Sequence, residues 1–286
     1  MRIAVIFDKT RPDTTGGYIE RACREAGHAC DHWWLRDAAA IPAAYDLYLR
    51  VDHGDDYLAV WPRHLRPVVF YAIDTHLAPS WKKIRRAAAR YDAVCCAQAR
   101  AAAALPNGQW LPLGCDPGLH TAPLAERTLD IAFVGTEGGV PRKFYLQALR
   151  ERYPNSAIGP ADHRQMAVLY GRARIGFNYA IADDVNMRVF EVLAAGTLLV
   201  TNALSGDAFG RLGLRDRQEL VLYRSPRELI EAIDYFLVHA EERERIASAG
   251  QNAALAFHTY RHRVVQLMES LGLQAGARET AAAEAS

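Results

Sequence analysis

Long apolar runs are missing from this chain: no stretch approaches the ~20 consecutive apolar residues that a helix needs to cross a bilayer. Cysteine is scarce and unpatterned. Cys23, Cys30, Cys95, Cys96 and Cys115 are odd in number and contain no Cys-x-x-Cys pair, which argues against a disulfide framework or a thiolate zinc site and for a reducing compartment. An excess of one charge is absent too. With 34 Lys and Arg against 33 Asp and Glu, the formal net charge is +1, which gives no sign of a polyanion-binding surface and argues against nucleic acid as a partner. The opening Met1-Arg2 passes directly into Ile3-Ala4-Val5-Ile6-Phe7, too short for the apolar core of a secretory leader and better suited to a first buried strand. A cytoplasmic protein is the expectation.

What the chain does contain is material for two ordinary cores: 286 residues, 50% hydrophobic and 23% charged. The pattern is organised around residues 175–202. A short apolar run (Ile175, Phe177, Tyr179) suits a buried strand, and the polar turn Asp183-Asp184 follows it. A helix then begins, with Asn186 at its cap position and Gly196 at its stop. The β-branched and apolar run from Thr197 completes a strand-helix-strand crossover of the kind that builds a parallel sheet. Arg188 and Glu191 are three apart on this helix and share one face, opposite Phe190 and Leu193. By themselves they are either a solvated ion pair or a cation and a carboxylate placed to meet a nucleotide's phosphate and ribose.

Each half of the chain also shows a strand, a glycine-rich loop and a helix in that order. In the first half, Gly16-Gly17 precedes a helix expected over 18–26; in the second, Gly135 to Gly139 precedes a helix expected from Arg142 to Tyr153. Glycine lets backbone N–H groups approach a bound anion at a helix start. Arg142 and Lys143 in the first turn oppose the helix dipole, a placement that a bound diphosphate would explain. Asp74 and His76 follow an apolar fourth strand, where the carboxyl ends of parallel strands face a ligand crevice, and they are the acid–base or acceptor-binding candidates. The turn 52–56 holds three carboxylates and a histidine, either a solvated loop or, with less support, a metal site. The helix 80–90 carries Trp81, Lys82, Lys83, Arg85 and Arg86, which form a solvated charged face, a peripheral contact with anionic lipid or a contact with an anionic acceptor.

The segment Asn186-x-Arg188-x-Phe190-Glu191 with Ala194-x-Gly196, together with Trp110-Leu111-Pro112-Leu113 and Asp116-Pro117, resembles the CgeB-like (spore-maturation-type) glycosyltransferases. That resemblance spans about residues 1–271. It implies an α/β chain of two Rossmann-like domains facing across a cleft (the GT-B architecture), with the C-terminal helix crossing back to the first domain. The expected divisions are an acceptor-side domain over 1–115, a linker over 116–127, a donor domain over 128–257, the crossing helix over 258–273 and a flexible tail over 274–286.

The implied activity is metal-independent transfer of a sugar from a nucleotide-diphosphate donor to an acceptor hydroxyl, with anomeric configuration retained and no cofactor. Donor contacts then fall to Gly16, Gly17, Gly135, Arg142, Lys143, Asn186, Arg188 and Glu191. Related retaining enzymes carry two glutamates eight positions apart; the second matches Glu191 and the first falls on Asp183, one methylene shorter. Asp183 joins Asp74 and His76 as a catalytic candidate. Two rival readings stay open on sequence: a nucleotide-sugar epimerase or hydrolase, and a non-catalytic nucleotide-sugar-binding module.

Overall fold

The computed structural model describes residues 1–10, 13–54, 57–59 and 61–273; Asp55 and Asp56 of the turn 52–56, and the expected tail 274–286, lie outside the described residues. The apolar runs become two parallel sheets, each in its own compact unit. One unit comprises Met1–Pro112 with the described residues from Tyr260 on, and the other Leu113–Thr259.

In the first unit, β1 (Arg2–Ile6), α1 (Thr15–Glu25), β2 (Ala29–Trp33), β3 (Leu47–Val51), β4 (Val68–Ala72), α2 (Ala78–Ala87), β5 (Ala93–Cys96), α3 (Ala99–Ala103) and β6 (Gly108–Trp110) follow in chain order. The strands pair in the order β2-β1-β3-β4-β5-β6, all parallel. β3 and β4 are buried along their whole length, as expected of strands covered on both faces. Even Arg50 on β3 is inside, its guanidinium over the Phe70 ring at 4.9 Å and bonded to the Tyr91 hydroxyl. Two elements depart from expectation. α1 starts at Thr15, three residues early, because the Thr14 hydroxyl accepts from Gly17 N–H at 3.3 Å and caps it. β6 forms although Pro106-Asn107-Gly108 carries a turn signal: Gly108 to Trp110 pair with Val94 to Cys96.

The second unit runs α4 (Pro117–His120), β7 (Leu129–Val134), α5 (Arg142–Arg152), β8 (Ala157–Gly159), α6 (His163–Gly171), β9 (Ala173–Asn178), α7 (Met187–Ala194), β10 (Leu198–Asn202), β11 (Val221–Tyr223), α8 (Pro226–Val238) and α9 (Ala240–Phe257). Its parallel sheet has the order β11-β10-β9-β7-β8. Phe133, Ile175, Phe177, Leu198 and Val200 join Leu146 and Leu149 of α5 in its core. The stretch 116–127 belongs to this unit. Asp116 caps α4 by accepting from Gly118 N–H, and Arg127 donates to the carbonyls of Gly171, Ala173 and Gly196 at 3.2, 2.8 and 2.5 Å. A side chain that closes three orphan carbonyls is an anchor, which a flexible tether would not supply.

The last helix, α10 (Tyr260–Ser270), belongs to the first unit. It packs on α1, with the Tyr18 and Tyr260 rings 5.3 Å apart, and Gln266 donates to the Trp110 carbonyl at 3.4 Å. Among the described residues, no helix is long and apolar enough to cross a membrane.

Candidate functional site

In each sheet the strand order reverses once, and the carboxyl ends beside such a reversal are where open α/β sheets hold ligands. In the second unit the reversal lies between β7 and β9. Two arginines meet there. Arg188, in the first turn of α7, donates through Nε to the Val134 carbonyl at 3.0 Å and through Nη1 to Asn178 Oδ1 at 3.1 Å. It thereby bridges the ends of both strands, with its guanidinium carbon 4.2 Å from the Phe133 ring centroid. Asn178, fully buried, is itself held by a 3.0 Å bond to Thr201 Oγ1. Gly135, at φ +140°, is where a Cβ would overlap Arg188 Nη2, so the residue after β7 has to be glycine for the arginine to lie flat.

Arg142, the first residue of α5, is turned inward by a 3.0 Å bond from Nε to the Glu137 carbonyl. Its guanidinium carbon lies 5.8 Å from the same Phe133 centroid. Gly138, at φ +66°, leaves the room that its guanidinium occupies. Burial pushes the Arg142 pKa down, and the Arg188 charge pushes it further, against the buried Asp184 carboxylate. Two cations at the starts of two helices, near enough for the Arg188 charge to lower the Arg142 pKa, form a site that an anion would relieve.

The other residues expected at this site fall into distinct places. Glu191 is buried on α7. Burial pushes the Tyr170 phenol up to about 12, with Arg188 opposing and Glu191 adding to the shift, so the three lie within electrostatic reach of one another. Asn186 holds the N-cap position of α7 but makes no side-chain cap bond, a departure from expectation. Its buried Oδ1 has no hydrogen-bond partner among the described residues. Lys143 is exposed on α5, because the helix turns it away from the strand ends that Arg142 faces. Asp183, at φ +60°, is engaged by Ser205, accepting from its N–H at 2.6 Å and from its hydroxyl. Its carboxylate fastens the loop after β10. Sequence reasoning passed over Phe133, Tyr170 and Asp184. It also passed over Asn178, although a polar residue closing an apolar strand was a readable signal.

In the first unit the reversal lies between β1 and β3. Asp52, 2% exposed, accepts from the N–H groups of Gly54, Ile73 and Asp74 at 2.9, 2.9 and 3.1 Å. One carboxylate thus locks the end of β3 to the short 3-10 turn Asp74–His76. The two candidates Asp74 and His76 are therefore on a fixed turn. Near them His53 Nε2 stands 3.2 Å from Asp8 Oδ2, a pair formed from the loops after β1 and β3 that the sequence had not distinguished. Gly16 and Gly17 are buried in the first turn of α1, and a Cβ on Gly16 would overlap the Phe7 ring. Packing accounts for Gly16. Among the described residues, no group of three His, Cys, Asp or Glu is placed to hold a metal ion.

No curated protein matches the chain in sequence. Its fold is similar to that of Anabaena HepE in complex with UDP-glucose (TM-score 0.64, 11% identity, 96% of this chain and 100% of that one). It is likewise similar to T4 phage beta-glucosyltransferase (TM-score 0.62, 12% identity, 94% and 99%) and to the sucrose-phosphate synthase of Thermosynechococcus elongatus (TM-score 0.62, 12% identity, 99% of each). These likenesses give the fold: α/β with two parallel sheets, as in the GT-B glycosyltransferases. The site built on β7, α5, β9 and α7 lies within residues 120–269, more than half of the chain, which match the model of the Glycosyl transferase-like family, and the chain belongs to that family.

Proposed function

We propose that this chain transfers a sugar from a nucleotide-diphosphate sugar to an acceptor hydroxyl, with the donor diphosphate held by Arg142 and Arg188. The observation that carries this reading is the convergence of the two guanidiniums on Phe133 at the end of β7, within the family-matched residues. As the bond from the anomeric carbon to the diphosphate breaks, negative charge builds on the leaving oxygens. Two preplaced cations and two helix starts stabilise that charge, so the proposal requires no metal and no cofactor. Glu191 is assigned to the ribose, since a carboxylate accepts from two vicinal hydroxyls. The unpartnered Asn186 Oδ1 suits another donor hydroxyl.

Gly135 belongs to the diphosphate cradle through the room that it gives Arg188. Lys143, Gly16 and Gly17 have weaker claims, on the exposure and packing described. Asp74 and His76 are assigned to the acceptor. Asp183 acts at most through the Ser205 loop that it fastens, and retention of configuration is the outcome implied by resemblance. The likeness to HepE and the T4 enzyme, both solved with UDP-glucose, favours a uridine diphosphate donor. Within the family, the Asn186-to-Gly196 motif supports a place near the CgeB-like members. A cytoplasmic location and a peripheral membrane contact through the stretch 80–90 complete the proposal.

Thermal unfolding with UDP, GDP, ADP, TDP and CMP tests it. A ligand at a hundred times its Kd adds about 2.7 kcal/mol of stability. We expect at least one nucleotide to do so, with the gain reduced in Glu191→Ala and Arg142→Ala. Equal gains in both variants, with the fold intact, would remove the proposed site.

A further inference from the structure

α2 carries Lys82, Lys83, Arg85 and Arg86, all exposed, and the sequence from Ala78 to Arg90 contains no carboxylate. None of the four makes an ion pair or a side-chain hydrogen bond with a described residue. Lys82 stands three and four positions from Arg85 and Arg86, and Lys83 three from Arg86, so the helix bears like-charge neighbours that disfavour it. The opposite face is fully committed: Ile84 and Ala87 are buried, and Trp81 packs partly on the core. At the amino end, Leu77 is 40% exposed and precedes the exposed Ala78 and Pro79. Exposed cations along α2 and exposed apolar groups at its amino end thus lie within one helix about 15 Å long.

We infer that this face of α2 docks the protein on a bilayer containing anionic lipid. The cations would meet the headgroups, while Leu77 and Pro79 at the amino end enter the interfacial zone. The chain as a whole carries only +1, so the attraction is local to this helix. Exposed Leu77, Ala78 and Pro79 beside the cations favour a lipid surface over an acidic polymer, which offers apolar side chains nothing to enter. This inference makes specific the peripheral contact proposed above, and it stands apart from the sugar chemistry.

The test is co-sedimentation of the full chain with vesicles of phosphatidylcholine alone or with 30% phosphatidylglycerol, at about 0.05 M salt. Binding is expected only to the anionic vesicles, with release at about 0.5 M salt. Each cation contributes about fivefold, so K82Q/K83Q/R85Q/R86Q should lose binding several-hundredfold. Its melting temperature should be no lower than the parent's, since like-charge neighbours are removed, and its stabilisation by UDP should be unchanged. Three results would overturn the inference: equal binding to neutral vesicles, unchanged binding by the quadruple variant, or binding to single-stranded DNA or polyglutamate but not to anionic vesicles. Loss of the UDP effect in the wild-type chain would count against the transfer reading alone.

Discussion

Arg142 and Arg188 share one aromatic ring, their guanidinium carbons 5.8 and 4.2 Å from the centroid of Phe133. Each is held by scaffold atoms: Arg142 by the Glu137 carbonyl, and Arg188 by the Val134 carbonyl and Asn178. Without a bound anion their mutual repulsion is a standing cost, visible in the lowered Arg142 pKa, which burial starts and Arg188 deepens. Arg142→Ala should therefore separate binding from stability. Urea unfolding should find the unliganded variant within about 0.5 kcal/mol of the parent, or more stable. Nucleotide-diphosphate affinity should fall about 10- to 100-fold, the worth of one charge-assisted bond.

Arg188 behaves differently, because it is part of the scaffold as well as the site. Arg188→Ala leaves the Val134 carbonyl and Asn178 Oδ1 without this donor, so stability should fall by about 1–3 kcal/mol along with affinity. Lysine should not restore either, since an ammonium lacks the planar fork that reaches both acceptors. Gly135→Ala should mimic the loss, because its Cβ overlaps Arg188 Nη2 and its φ of +140° is strained for alanine. Melting temperature and nucleotide titration on the three variants check this.

Most of the architecture was written in local pattern. The continuous apolar runs marked β1, β4 and β9, and the strand, glycine-rich loop and helix order marked β7 and α5. Arg142 and Arg188 were conspicuous as charge at a helix start, and Glu191 as the carboxylate one turn further along α7. β6 was not, since Pro106-Asn107-Gly108 signals a turn and only pairing with β5 extends Gly108 to Trp110. Nor could sequence show that Asp183 would be taken up by Ser205, or that Asp8 would meet His53; both depend on chain segments brought together by the sheets. Phe133 looked like any core aromatic, and its role under two arginines appears only in space.

Asp52 should prove to be the keystone of the first unit's loop edge. Asp52→Asn replaces one accepting oxygen by an amide that donates, set against either the Gly54 N–H or those of Ile73 and Asp74. A stability loss of about 2–3 kcal/mol is expected, read from the urea midpoint at unchanged m-value. Nucleotide binding should persist in the folded variant, because the assigned donor residues lie in the second unit.

Glu20 provides a pH signature. Burial works to raise its pKa, but bonds from Lys9 Nζ at 2.9 Å and Arg24 Nη2 at 2.7 Å prevail and hold it below 4.5. The unfolded chain therefore takes up this proton first as pH falls. The stabilisation is present in full above about pH 4.5 and is lost as pH drops through the folded-state value. Glu20→Gln should be less stable than the parent at pH 7, and the gap should close on acidification below that point. A gap independent of pH would mean that the ion pairs contribute nothing.

The account depends most on a diphosphate gripped by two arginines. Calorimetric titration of UDP and uridine into the parent and Arg142→Ala addresses that directly. UDP should bind the parent at least tenfold tighter than it binds the variant, while uridine binds both alike. Equal UDP affinity in parent and variant, or an equal drop for uridine, would contradict it.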